Sequence, residues 1–83
     1  MIQPEDLLQR LRQRPFQPFR VVLTDGRVFD IHFPDLNIVG QTWIDIGIPM
    51  PNQADPFGER AVIVPLENVA HVEVISTNPS KAS

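Results

Sequence analysis

From Phe19 onward, apolar positions alternate with other residues in short rows. Phe19, Val21 and Leu23 fall on one side of an extended segment, with Arg20, Val22 and Thr24 on the other; a period of two is the signature of a strand with one buried face. After Asp25-Gly26 the alternation resumes, with Phe29, Ile31 and Phe33 set against Val28, Asp30 and His32. Pro34-Asp35 breaks or bends this second strand, Leu36, Ile38 and Val39 continue it in extended form, and Gly40 marks a further bend. The cleanest row is Thr42, Ile44, Ile46 and Ile48 against Trp43, Asp45 and Gly47. Residues 49–58 contain Pro49, Pro51 and Pro56 and predict a loop, since proline is kept out of central strands. Arg60 to Val64 reads as a strand that ends at Pro65, Leu66-Glu67-Asn68 as a tight turn, and Val69 to Ile75 as the last strand.

The opening residues follow a different period. Pro4 suits the first helical position, Glu5 and Asp6 face the positive end of the helix dipole, and Leu7, Leu8 and Leu11 make one stripe. Arg10, Arg12 and Arg14 sit where the dipole favours cations, and Pro15 disfavours helical geometry at Arg14. The spacing predicts a helix over about residues 4–13. At under three turns it cannot stand alone in water, so its leucines must cap another element.

The hairpin register follows from the faces. A two-residue loop at Asp25-Gly26 would set Val21 opposite Asp30. A three-residue loop, Thr24-Asp25-Gly26 with Gly26 in the left-handed region, sets Val21 opposite Phe29 and Phe19 opposite Ile31, keeping apolar with apolar. The reading is a mainly β protein: an N-terminal α-helix followed by a five-stranded, strongly bent antiparallel sheet, curled into a small SH3-like barrel that the helix plugs. One domain covers residues 1–75, and residues 76–83 form a polar, flexible tail.

Composition narrows the chemistry. With 83 residues, 42% apolar and 20% charged, the chain is one small folded domain with little room for a large cavity. There is no Cys and no Tyr, and the only Lys is Lys81, so thiol chemistry, zinc knuckles and a buried Schiff-base lysine are ruled out. Ten acidic and seven basic residues give a net charge of -3, against the basic surplus of a duplex DNA binder. Even so, Arg10, Arg12, Arg14, Arg20 and Arg27 all lie in the first third. No apolar run reaches the ~18 residues of a membrane span, and Met1-Ile2-Gln3-Pro4 lacks a signal-peptide start. The expected location is the cytoplasm.

Several local motifs resemble the Sm-like family, small barrels that form rings on RNA. The likeness covers roughly residues 4–75: the helix with Pro4, Leu7, Leu8 and Leu11, the run Val22-Leu23-Thr24-Asp25-Gly26-Arg27, the run Asp35-Leu36-Asn37-Ile38-Val39, and Val62 to Val69. It implies a homo-oligomer, a ring in that family, joined through the last two strands, with Ala61, Val62, Ile63, Val64, Val69, His71, Val72 and Glu73 at the interface. It also implies single-stranded RNA binding through Arg27, Asp35, Asn37 and the N-terminal arginines. Two features depart from the family pattern. Pro65 and Leu66 stand where the family carries Arg-Gly, or Lys-His in its bacterial Hfq branch, and Asp35 and Asn37 are two residues apart where the family spaces them about four. These changes remove the cation that would hold RNA. The segment Arg14 to Arg20 followed by Leu23-Thr24-Asp25-Gly26-Arg27 is also similar to a group of short bacterial proteins of unknown function.

The remaining candidates are weighed against simpler roles. His32 and His71 with Asp30, Asp35 or Asp45 have metal-ligand chemistry but not ligand spacing, and read better as outer-face strand residues. Ser76, Ser80 and Ser83 all lie in the tail, which leaves no rigid Ser-His-Asp set, and no enzyme activity or cofactor is expected. Pro15 to Arg20 has the look of an SH3 ligand but reads better as an extended linker whose Phe16 and Phe19 pack inward. If Ile44, Ile46 and Ile48 face the core, Trp43 faces outward, and with Met50 and Phe57 it becomes a candidate partner contact. The function expected is that of a non-catalytic interaction or assembly module that self-associates through edge strands, with single-stranded RNA binding as the alternative.

Overall fold

The computed structural model describes residues 1–50, 53–54 and 58–75. It shows a mainly β protein with one helix and six strands: α1 (Pro4–Arg12), β1 (Phe19–Leu23), β2 (Val28–Ile31), β3 (Asn37–Val39), β4 (Trp43–Pro49), β5 (Glu59–Pro65) and β6 (Val69–Val74). Single 3-10 turns occupy Pro34–Leu36 and Leu66–Asn68. The strands form two antiparallel three-stranded sheets, ordered β2-β1-β6 and β3-β4-β5.

The expected single five-stranded sheet is therefore corrected, and the described residues do not close a barrel. The cause is local. Pro34 lacks an N–H and fixes its φ, and the chain turns through Pro34–Leu36 there. What the alternation suggests is one bent strand is cut in two: β2 stays with β1, while β3 crosses to pair with β4. Phe33, expected inward, lies between the two pieces and is exposed.

The hairpin after β1 has the three-residue loop that the face argument requires. Gly26 has φ +92°, a region an L side chain enters only at a cost. Its N–H donates to Leu23 O (3.0 Å), and the Leu23 N–H donates to Arg27 O (2.8 Å). Phe19 then faces Ile31 and Val21 faces Phe29. On the other side of β1 the ladder with β6 shifts between Val22 and Leu23, which face His71 and Val69, so Ala70 is the extra residue.

The inward rows of both sheets meet in one core. Phe19, Val21 and Leu23 come from β1, Ile31 from β2, Ile44 and Ile46 from β4, Val64 from β5, and Leu66 and Val69 from the last turn and β6. Leu7 and Leu11 of α1 are buried in the same cluster, as the stripe demands. The Asp6 carboxylate accepts from the Gln3 N–H (3.2 Å), and the Asp6 N–H donates to Gln3 O (3.0 Å), fixing the helix start. At the other end the Arg14 guanidinium donates to Leu11 O (2.9 Å), satisfying a terminal carbonyl.

Candidate interaction site

The last two strands lie next to each other in sequence but belong to different sheets. Among the described residues β5 is hydrogen-bonded only to β4, and β6 only to β1, so each is an edge there. Three residues, Leu66–Asn68, join them. The turn is anchored from both sheets: the Leu66 N–H donates to Thr42 O (2.9 Å), and the Thr24 N–H donates to Asn68 O (2.8 Å). Two open rows of backbone donors and acceptors therefore flank one fixed corner.

The eight expected interface residues divide by face. Ala61 and Ile63 of β5 are exposed, Ile63 at 65%, and Val62 is half-buried. Val64 and Val69 are core residues, so only their backbone is open to a partner. Edge-strand pairing uses that backbone, so their burial leaves the expected contact as it was. Val72 is half-buried, while His71 and Glu73 are exposed and joined by a 2.9 Å hydrogen bond. Val74, on the same strand, is 59% exposed.

Beside β6 runs a groove of about 700 Å³ that the sequence did not disclose. It is lined by Ile2, Asp6, Gln9, Arg10, Arg12 and Gln13 along α1 and by Val72 of β6. The Arg10 guanidinium stands 5.7 Å above the Phe19 ring. The groove arises because α1 caps the core with Leu7 and Leu11 and leaves its Asp6-Gln9-Gln13 side facing the strand edge.

On the outer side of the first sheet, Arg20 faces Asp30 on one neighbour and Glu73 on the other. Arg20 Nε donates to Asp30 Oδ1 at 2.7 Å. That hydrogen bond first, and then the opposite charge, hold the Asp30 carboxyl below its ordinary range. A carboxyl with a depressed folded pKa adds stability above its unfolded pKa, and loses it as pH falls through the folded value. The expected result is a modest acid-side loss of stability below the unfolded aspartate pKa, because the pair is partly exposed. Urea midpoints followed from neutral to acid pH check it: the Arg20→Met chain should show a flatter acid limb than the unmodified chain.

The residues assigned to RNA by resemblance each serve their own turn. Arg27 donates from its backbone N–H to Asp25 Oδ1 (3.0 Å) and from Nε to Asp25 Oδ2 (2.9 Å), and the backbone bond is the main reason the Asp25 carboxyl lies below its ordinary range. Asn37 Nδ2 donates to Phe33 O (2.8 Å), closing the Pro34–Leu36 turn that contains the exposed Asp35. A hollow of about 260 Å³ lies between Met1–Pro4, Gln41-Thr42 and Pro65–Glu67, and its one charged lining side chain is Glu67. That charge repels phosphate.

Of the expected partner contact of Trp43, Met50 and Phe57, the structure describes Trp43 and Met50. Phe57 lies outside the described residues. Trp43 and Met50 are both exposed but stand at opposite ends of β4, roughly 23 Å apart at the rise of a strand. Trp43 is partly covered by the Gly40 bend. A Cβ on Gly40 would lie 2.4 Å from Trp43 Cε2.

Trp43 belongs instead to a row that the β3-β4-β5 register assembles. Ile38 faces Asp45 on β4, and Asp45 faces Ile63 on β5. The two isoleucines are 61% and 65% exposed. Asp45 is half-buried, its Oδ1 is buried, and no donor among the described residues reaches that oxygen. A buried acceptor without a donor is costly. Trp43, two residues before Asp45 on the same strand, shares this face and sits opposite Pro65.

Elsewhere, His32 and His71 do not gather a ligand set: among the described residues no three His, Asp or Glu side chains converge. No helix among them is long and apolar enough to cross a membrane. No family model, curated protein or solved structure matches the chain.

Proposed function

We propose that the protein is a non-catalytic assembly module in which β5 of one copy pairs with β6 of the next. On this reading the two sheets of each copy are the halves of an open small barrel of the Sm-like or SH3-like kind, with its gap between β5 and β6. The observation that carries it is the pair of single-sided edges flanking Leu66–Asn68, with apolar side chains still exposed on both strands at Ile63 and Val74. Isolated folded domains blunt such edges with lysine, proline or a covering segment. Neither β5 nor β6 carries a lysine; their charges are Glu59 and Arg60 at the start of β5 and Glu73 on β6, the bulge lies at the start of β6, and Pro65 stands only at the end of β5, so the middle of β5 is left as an apolar run, Ala61 to Val64. Because one edge is given and a different edge received, the contact is head to tail and closes into a ring when the rotation permits.

Val74 tests this on the edge itself. It is exposed and contributes little to the core, so Val74→Lys should leave the fold intact. A lysine there sets a charge where the second copy's strand would lie. Association is expected to weaken at least tenfold, read by light scattering at matched concentrations, with the far-ultraviolet circular dichroism unchanged. Unaltered association in the variant would remove β6 from the interface.

A further inference from the structure

We infer that the outer face of β3-β4-β5 is a docking surface for a protein segment presenting an arginine among apolar neighbours, with Asp45 as the counter-ion. This surface is a sheet face that shares Ile63 of β5 with the edge of the proposed assembly, while Ile38, Trp43 and Asp45 lie on β3 and β4.

Three observations combine. Ile38 and Ile63, the cross-strand partners of Asp45, are mostly exposed. Trp43 stands on the same face and is 37% exposed. Asp45 is half-buried on this face, and its Oδ1 is buried with no donor among the described residues. The apolar side chains alone would not name an occupant, and the carboxylate does. It repels phosphate and acidic peptides, which sets aside nucleic acid on this face. A purely apolar partner would bury the carboxylate further and still leave Oδ1 without a donor. A cationic side chain at the open side of the half-buried carboxylate balances its charge.

Arginine fits better than lysine for three reasons. Its planar fork donates two parallel hydrogen bonds to one carboxylate. Its guanidinium is weakly hydrated, so bringing it against Ile38 and Ile63 is less costly than burying an ammonium. Its apolar stem covers isoleucine while its flat head stacks on an indole, and Trp43 supplies one. The surface thus joins an aromatic anchor, an apolar surround and one unsatisfied charge, the composition of a binding hot spot.

Trp43 is the only tryptophan in the chain, so its emission reports on this face directly. The probes are acetyl-Leu-Arg-Leu-amide and acetyl-Leu-Glu-Leu-amide, titrated against the full chain. The arginine peptide is expected to shift Trp43 emission saturably in the millimolar range, and the glutamate peptide to leave it unchanged. Binding should weaken at least fivefold in Asp45→Asn and in about 0.5 M salt, where surface charge is screened. The peptide comparison uses the unmodified chain and does not depend on how the variant folds. Equal responses to the two peptides, or an Asp45→Asn chain that binds as the original does, would overturn the inference.

Discussion

Replacing Phe19 with alanine is expected to lower the unfolding midpoint sharply, at a cost of about 3–5 kcal/mol. Phe19 is fully buried at the point where most of the structure meets. It faces Ile31 across one ladder and Val74 across the other. Its ring packs on Phe16 with centroids 6.1 Å apart, and Arg10 stands over its face. Large-to-small changes of buried aromatics cost about 3–5 kcal/mol, in part because the cavity left behind does not collapse. A chain of 83 residues has a total of roughly 4–12 kcal/mol at about 0.05–0.15 kcal/mol per residue, so this single change consumes a large share of it. Thermal and urea unfolding followed by circular dichroism check the expectation. Phe19→Leu, which fills most of the space, should lose less than half as much. Equal losses would mean that the ring's packing is not what matters.

The second large effect is expected at Gly47. A Cβ placed there would lie 2.4 Å from Leu36 O and 2.8 Å from Leu36 Cβ. The carbonyl is backbone, in the turn that separates β2 from β3, so it cannot swing aside. To make room, β3 and its turn must shift from β4, and overpacking of this kind costs about 1–3 kcal/mol. Gly40 makes an instructive comparison. Its added Cβ would be equally close, 2.4 Å, but to the Trp43 indole, a side chain near the surface that can rotate. Gly47→Ala should therefore lower the urea midpoint clearly more than Gly40→Ala, while Gly40→Ala should change Trp43 emission more. The reverse order would show that Trp43, and not the Leu36 turn, is the fixed element.

How much of this could be read from the residues depended on whether the deciding interaction was local. The β1-β2 register could, because apolar rows on two strands and one left-handed glycine leave a single arrangement with Val21 opposite Phe29. The helix start was legible in Pro4, Glu5 and Asp6, and the tight turn at Leu66–Asn68 in its length. The division of the second strand was not. Pro34 announced a break, but the alternation of hydrophobic positions runs on past it and cannot say that β3 joins the other sheet. The fates of Val64 and Val69 were hidden for a similar reason: they alternate like their neighbours, and only the meeting of two sheets at the Leu66–Asn68 corner sinks them. The Ile38-Asp45-Ile63 row needed both the β3-β4 and the β4-β5 registers, and the second is set across residues 50–58. A pattern within one strand carries no such information.

The central claim is that β5 and β6 are unfilled halves of a contact between copies of this chain. The measurement that bears on it most directly is the molar mass of the purified chain in solution, by size-exclusion chromatography with light scattering over a wide concentration range. The account predicts a mass of two or more copies that persists on dilution and falls toward one copy in Val74→Lys. A strict monomer at the highest concentration reached would contradict it.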